Sequence, residues 1–163
     1  MKGQIRRGDV RTIKAALMMV DLRDFTGLSD ALPSSEVIET LNRYFDSVIP
    51  PIKRHGGEVL EFLGDGILAI LSENGERSAR EACQWAFEAA REGLDGLSAL
   101  NRDLSTPWHF KAGFALHYGE VSYGNIGAGD RLDFTVIGPD VNLTSVFTDA
   151  TPFRVVRLTG IRR

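Results

Sequence analysis

The chain has 163 residues, of which 43% are hydrophobic and 25% are charged, and its formal net charge at pH 7 is −3. This composition is typical of one globular domain with a real core, and the weak negative charge gives no indication of a nucleic-acid partner. Because a single cysteine, Cys83, excludes an intramolecular disulfide and no apolar run reaches the length of a membrane span, we expect a cytoplasmic chain without membrane contact.

The first 14 residues carry five cationic side chains against one acid, Asp9. This pattern predicts a basic linker from an upstream region, and the alternative is a basic arm that binds anions. The domain is therefore expected to begin at residue 15. Residues 15–20 are continuously apolar and stop at Asp21, which is the pattern of a buried central strand.

A turn at residues 21–26 leads into a short helix, and a longer helix is predicted to open at Pro33. The apolar residues of the longer helix follow helical spacing as far as residue 52. Pro50 and Pro51 are expected to kink or restart the helix near its end. The helix is predicted to stop at His55, which needs no chemical role there.

Residues 59–63 and 67–71 are short apolar runs on either side of Gly64, Asp65 and Gly66. Such runs around a Gly/Asp cluster predict a β-hairpin, because glycine supplies the backbone freedom of a tight turn. Asp65 is too polar for a buried strand pair unless something binds it. A carboxylate on a rigid hairpin tip is a good ligand for a hard cation, although aspartate is also an ordinary turn residue.

A capping box at residues 78–81 predicts the start of a second long helix, whose apolar stripe places Cys83 in the core rather than in a nucleophilic site. The remaining predicted elements are strands at residues 110–117, 120–126 and 133–137, a turn at Tyr118 and Gly119, and a last helix at residues 141–147. The element order predicts an α+β fold. We expect a ferredoxin-like βαββαβ core, with a mainly antiparallel sheet and helices packed against it.

In this arrangement the first strand lies beside the hairpin, so the carboxylates of Asp21 and Asp65 meet at one end of the sheet. Two aspartates with few other protein ligands suit Mg²⁺, which keeps waters and takes further oxygens from phosphates. The helix that opens at Phe25 and Thr26 offers free N–H groups to an anion. The pattern favours phosphoryl or nucleotidyl transfer on a nucleoside triphosphate, with two unrelated turn aspartates as an equal alternative.

Five segments together resemble the catalytic domain of class III adenylate/guanylate cyclases of bacterial type, in register from about residue 15 to 145. They are residues 21–26, 55–59, 62–66, 124–127 and 131–142. The resemblance implies a cyclase domain at residues 15–150 with the nucleotide cyclase fold. It implies attack of the ribose 3′-hydroxyl on the α-phosphate of ATP or GTP, which gives a 3′,5′-cyclic nucleotide and pyrophosphate in cyclic nucleotide signalling.

By position, the resemblance implies that Asp21 and Asp65 hold two Mg²⁺ or Mn²⁺ ions, helped by the backbone carbonyl of Leu22. Lys111 falls near the position of a phosphate-binding arginine in the family. The family acts as a head-to-tail dimer, in which one chain supplies the metals and the other supplies the base-reading and transition-state residues. A twofold homodimer would therefore form two equivalent sites.

Glu61 and Thr135 occupy the two base-reading positions of the family, and Asn142 occupies the position that orients the ribose. Adenylate cyclases have lysine at the first position, whereas glutamate there is the choice of guanylate cyclases, because a carboxylate accepts from both donors of guanine. The hydroxyl of Thr135 fits either purine. Glu61 therefore favours guanine, while the rest of the sequence resembles bacterial adenylate cyclases, and both substrates stay open.

Three further departures from the family bear on turnover. Val146 replaces the arginine that stabilises charge at the α-phosphate, and loss of one such group typically costs about 10²–10³ in rate. Asp24 replaces the glycine of the strand-to-helix turn, and residues 151–163 form a truncated or divergent tail. We therefore expect slow turnover. The alternatives are a pseudo-cyclase that binds nucleotide or dimerises without catalysis, and a half-site that works with a different cyclase subunit.

Overall fold

The computed structural model describes residues 10–103, 105, 108–128 and 131–148. Its elements are β1 (Val10–Leu22), α1 (Phe25–Ala31), α2 (Ser34–Arg54), β2 (Glu58–Leu63), β3 (Gly66–Ser72), α3 (Ala79–Leu100), β4 (Ala112–Ala128), β5 (Arg131–Ile137) and α4 (Pro139–Thr148). The strands form one sheet in the order β2-β3-β1-β4-β5, and every neighbouring pair is antiparallel. The order of β1 to β4 with α2 and α3 is ferredoxin-like, so the predicted fold class is confirmed.

The core lies on both faces of β1. On one face, alternate residues such as Met18 pack against Tyr44 of α2 and Ala86 of α3. On the other face, Leu17 packs with Val121 of β4 in a smaller cluster that α4 joins. Burial on both sides explains why the middle of β1 is continuously apolar in the sequence. No helix within the described ranges is long and apolar enough to cross a lipid bilayer.

β1 and β4 are longer than the sequence predicts. β1 begins at Val10 rather than residue 15, and its first residues pair with β4. The predicted turn at Tyr118 and Gly119 is wrong, because β4 continues through these residues and pairs them with Ala16 and Ala15. The long partner strand satisfies the backbone there, so glycine at position 119 does not produce a turn.

α2 continues through Pro50 and Pro51 to Arg54, so the helix does not restart there. Pro51 cannot donate to the carbonyl of Ser47, and this carbonyl faces α3 at Gly96, where an added Cβ would lie 3.1 Å from it. The two prolines are therefore tolerated close to the helix end. The capping box of Ser78 and Glu81 is confirmed at the start of α3.

Cys83 is confirmed as a buried core residue with a free thiol. His55 follows the last residue of α2, and its Nε2 lies 2.9 Å from Glu92 Oε1 on α3. Residues 10–14, which were predicted as the end of a basic linker, belong to β1 instead, and the prediction for residues 1–9 stays a prediction. Those nine residues and the predicted tail at 151–163 lie outside the described residues.

Candidate active site

The strand register brings the two predicted metal-binding aspartates to the same end of the sheet. Asp21, the penultimate residue of β1, pairs directly with Gly66, the first residue of β3. Asp65 precedes Gly66 in the two-residue turn of the β2–β3 hairpin, where Leu63 pairs with Gly66. Gly64 gives this turn a φ of +68°, a conformation that favours glycine. The hairpin was therefore predicted correctly, and it carries Asp65 beside the end of β1.

The oxygen donors at this end are of the kind that holds a hydrated divalent cation. Gly66 leaves no room for a side chain, because an added Cβ would lie 2.9 Å from the carbonyl of Val20 and 3.5 Å from Asp21 Oδ1, so glycine allows the hairpin turn to approach the end of β1 closely. Among the residues described, no group of three or more His, Cys, Asp or Glu side chains could hold a metal. Two carboxylates and the Leu22 carbonyl would suit an ion that completes its shell with water and phosphate oxygens.

Burial raises the pKa of Asp65 above its usual value, because desolvation penalises the charged carboxylate. Tyr44 lies fully buried on α2, and its hydroxyl has no hydrogen-bond partner among the described residues. Burial raises the pKa of Tyr44, and the negative charges of Asp21 and Asp65 raise it further. The Tyr44 hydroxyl therefore stays protonated beside the carboxylate end of the sheet.

Arg23 provides a cation beside this carboxylate pair. Its Nη1 atom lies 3.8 Å from Asp21 Oδ2. Its guanidinium crosses the backbone of Gly113 on β4, where an added Cβ would lie 2.4 Å from Nη2. Arg23 was not among the site residues predicted from the sequence. The available signal was its position two residues after Asp21, since alternate residues of a strand face the same side.

The predicted phosphate-binding residues lie near Arg23. α1 begins at Phe25, and Thr26 is exposed in its first turn. Lys111 is also exposed, and its carbonyl accepts a 2.7 Å hydrogen bond from the Arg23 N–H. Two cavities of about 220 and 410 Å³ are both lined by Arg23 and Lys111. The structure thus gathers two cations and a helix N-terminus at the Asp21 end of the sheet.

The two predicted base-reading residues lie on the edge strands. Glu61 is half-buried on β2, after a register shift between Val59 and Glu61 that marks a β-bulge. Thr135 is 9% exposed on β5. Although β2 and β5 are opposite edges of the sheet, they contact each other because the sheet curls. The hydroxyl of Tyr123 on β4 donates to Glu58 Oε1 on β2 at 3.1 Å and closes this curl.

The base-reading residue on β5 lies far along β4 from the metal end. Asp21 pairs with Gly113, whereas Thr135 pairs with Gly124 at the other end of β4. These two glycines are eleven residues apart along β4, so Thr135 approaches the rest of the site through the curl that brings β5 against β2. Asn142 is exposed in the first turn of α4.

Nearly the whole chain matches one known protein family. The model of the adenylate and guanylate cyclase catalytic domain matches residues 10–160. The chain belongs to this family. The match includes residues 10–14, in agreement with the early start of β1 in the structure.

Both adenylate and guanylate cyclases are among the relatives of this cyclase domain. Adenylate cyclase 1 of Rhizobium meliloti is 32% identical over 130 residues, which cover 78% of this chain and 19% of that protein. An adenylate cyclase of Anabaena cylindrica is 28% identical over 141 residues, covering 86% of this chain and 28% of that protein. The chain thus spans between a fifth and a third of the length of these relatives.

Solved structures agree with this assignment. The guanylyl cyclase Cya2 superposes with a TM-score of 0.76 at 32% identity, over 88% of this chain and 72% of that chain. A bacterial light-regulated adenylyl cyclase superposes with a TM-score of 0.74 at 27% identity, over 85% of this chain and 70% of that chain. The chain therefore has the class III cyclase fold. It resembles a guanylyl cyclase and an adenylyl cyclase about equally well.

Asp24 and Val146, which the sequence resemblance marks as departures from the family, are both among the described residues. Asp24 precedes α1 with φ 61° and ψ 35°, so a side chain with a Cβ occupies the left-handed conformation. Its carboxylate lies over Gly27, where an added Cβ would be 2.6 Å from Asp24 Oδ1. Val146 lies on α4, four residues after Asn142.

Tyr44, whose pKa is raised by burial and by both carboxylates, was not predicted as a site residue. Its sequence gave no signal beyond its place on an apolar stripe.

Proposed function

We propose that this chain is a purine nucleotide cyclase that converts GTP or ATP into the 3′,5′-cyclic monophosphate and pyrophosphate. The observation that carries the proposal is the pairing of Asp21 with Gly66, which puts the Asp65 turn beside the end of β1. Two carboxylates on a rigid sheet end, brought close by a glycine with no room for a side chain, would suit a hard cation. The family match supports the same chemistry.

Asp21, Asp65 and the carbonyl of Leu22 would hold two Mg²⁺ or Mn²⁺ ions. Bound there, these ions supply activation of the ribose 3′-hydroxyl and charge neutralisation at the triphosphate. Arg23 balances the charge of Asp21 when no cation is bound, since its guanidinium is 3.8 Å away. This ion pair is long and partly exposed, so it gives way to a divalent ion at little cost.

The triphosphate would lie at the N-terminus of α1, where the N–H groups of Phe25 and Thr26 face an anion and Lys111 adds positive charge. Asn142 would orient the ribose so that its 3′-hydroxyl lies in line with the α-phosphate. Correct orientation of this kind contributes strongly to rate, because it removes the entropic cost of alignment.

The base would be read by Glu61 and Thr135, on the two strands that the curled sheet brings into contact. A carboxylate at position 61 accepts from the N1–H and N2–H₂ donors of guanine and repels the lone pair of adenine N1. Glu61 is half-buried and follows the β-bulge in β2. GTP is therefore the favoured substrate of the two.

The active form would be a head-to-tail homodimer. The resemblance to class III cyclases supports this form, in which one chain supplies the metal ligands and the other supplies the base-reading and transition-state residues. Two chains in antiparallel orientation would place the base-reading end of one against the metal end of the other, and twofold symmetry would create two equivalent sites.

The direct test incubates the protein with ATP, GTP, CTP or UTP in the presence of Mn²⁺ and separates the products. We expect slow formation of cyclic GMP, a smaller yield of cyclic AMP, and loss of both in the Asp21→Ala variant. Asp95→Ala, which removes an exposed aspartate on α3, is the matched control and should keep wild-type activity. Absence of any cyclic product would contradict the proposal.

A second candidate is a pseudo-cyclase that binds nucleotide without turnover, or a half-site that needs another cyclase subunit. The observation in its favour is the left-handed Asp24, which adds strain and a negative charge at the N-terminus of α1. Nucleotide binding that depends on Mn²⁺, with no product from the chain alone, would support the pseudo-cyclase. Product that forms only after mixing with a second cyclase chain would support the half-site.

A further inference from the structure

A partly buried hydrogen bond joins the middle of β4 to the first turn of α4. His117 Nε2 and Asp140 Oδ1 are 2.8 Å apart, and the N–H of Glu120 donates to Asp140 Oδ2 at 3.2 Å. His117 is only 3% exposed, and its Nδ1 atom has no hydrogen-bond partner in the described part of the chain. Both carboxylate oxygens of Asp140 are thus bound by β4.

Gly119 makes this contact sterically possible. A Cβ at position 119 would lie 2.1 Å from Asp140 Oδ2, far inside van der Waals contact. Gly119 pairs with Ala15 inside a regular strand and has no left-handed φ. Glycine is needed at this position for space alone, so the close approach of Asp140 to β4 is a specific feature of the fold.

The anchored carboxylate lies two residues before Asn142. The hydroxyl of the buried Thr144 also donates to the backbone carbonyl of Asp140 at 2.6 Å. Pro139 and Asn142 are exposed, so the contacts that hold the first turn of α4 come from its opposite, buried face. Because a hydrogen bond between a buried imidazole and a carboxylate is directional, we expect it to fix the turn that presents Asn142.

We propose that His117 is a positioning residue that acts through Asp140 to fix the first turn of α4 and the direction of the Asn142 side chain. The inference rests on the proposed function in one respect, the role of Asn142 in orienting the ribose. His117 would not touch the nucleotide. Its loss would therefore reduce kcat more than it changes KM, since alignment matters most in the transition state.

The test compares His117→Leu, His117→Gln, Asp140→Asn and Gly119→Ala with wild-type protein by steady-state kinetics and by hydrogen exchange of the α4 amides. We expect His117→Leu to lower kcat about tenfold or more, with little change in KM, and to speed exchange in α4 but not in β3. His117→Gln should restore part of both, because its amide N–H can take the place of Nε2–H. Gly119→Ala should resemble His117→Leu.

The chain offers matched controls. His55→Leu removes the other histidine–carboxylate contact, that of His55 with Glu92 at 2.9 Å, and Gly75→Ala adds a Cβ where nothing lies within 4 Å. Both should keep wild-type kcat and wild-type exchange in α4. An equal loss of kcat in His55→Leu would contradict the specific role of His117.

Wild-type exchange in α4 together with wild-type kcat in His117→Leu would overturn the inference. If His117→Leu does not fold, Asp140→Asn decides the question, because it removes the charge while keeping the volume. Failure of the proposed function would look different. The wild-type chain would then form no cyclic nucleotide, whereas the exchange experiment would still show whether His117 anchors α4.

Discussion

The metal-binding and base-reading residues are positioned by different means. Asp21 and Asp65 lie on a central strand and on a two-residue turn, and regular pairing fixes both. Glu61 and Thr135 lie on the two edge strands, which meet only because the sheet curls. A β-bulge precedes Glu61. The metal-binding pair therefore follows from local pairing, whereas the base-reading pair depends on the tertiary path of the sheet.

This difference explains which parts of the site the sequence predicts. The hairpin turn and the end of β1 have local signals, namely apolar runs, glycine and a terminating aspartate, so the proximity of the two carboxylates was predicted from spacing and fold order. The curl of the sheet and the bulge beside Glu61 have no local signal, because they arise from contacts between residues distant in sequence.

The largest effect should come from placing a metal-ligand substitution and a ribose-contact substitution on different chains. Asp21→Asn and Asn142→Ala should each lower cyclase activity at least about 10³-fold, because one removes a cation ligand and the other the ribose contact. Mixing the two inactive chains should restore about a quarter of wild-type activity, since half of the dimers are then mixed and each mixed dimer has one intact site. Product formation is measured after chain exchange.

Mixing two chains that carry the same substitution is the control and should restore nothing. Recovery would show that the metal end and the ribose-orienting residue of one working site come from different chains. If the mixture stays inactive while both variants dimerise with wild-type chain, the head-to-tail arrangement is wrong. The metal ligands and Asn142 of one site would then come from the same chain.

The next effect concerns α4. Val146→Arg should raise kcat by about 10²–10³, because a cation at this position would stabilise charge at the α-phosphate. Val146→Lys is a suitable control, since it adds charge without the planar fork of arginine and should give a smaller gain. Unchanged kcat in Val146→Arg, with unchanged folding, would mean that the missing arginine is not what limits turnover.

Base choice should change by a smaller factor. Glu61→Lys should shift the ratio of kcat/KM for GTP over ATP towards ATP by roughly 10–100-fold, because lysine donates to adenine N1 and faces the N1–H of guanine. Glu76→Lys introduces the same charge change at an exposed position in the β3–α3 connection and should leave the ratio unchanged. An unchanged ratio in Glu61→Lys would show that the bulge does not direct residue 61 to the base.

The role of a residue was predicted less well where the same residue type can serve more than one purpose in a fold. Gly119 suggested a turn, but in the structure it makes room for the Asp140 carboxylate within an unbroken strand. Tyr44 fitted an apolar stripe, yet its hydroxyl has no hydrogen-bond partner among the described residues, and burial together with Asp21 and Asp65 raises its pKa. In both cases the deciding neighbour comes from a distant part of the chain.

The smallest expected effect tests the turn at the metal end. Asp24 has φ 61°, which is costly for a residue with a Cβ, although aspartate tolerates it better than most. Asp24→Gly should relieve this strain, and because glycine also loses more entropy on folding, we expect a net stabilisation below about 1 kcal/mol. The change also removes a negative charge at the N-terminus of α1, so KM for the triphosphate should fall a few-fold.

Asp24→Asn separates these two causes, because asparagine keeps the tolerance of the left-handed conformation and loses only the charge. We expect it to lower KM as Asp24→Gly does, with little change in melting temperature. An equal rise in melting temperature for both variants would assign the cost of Asp24 to its charge rather than to its backbone. The left-handed conformation of Asp24 would then cost little, and the turn after β1 would be as well accommodated as the strand pairing that fixes Asp21.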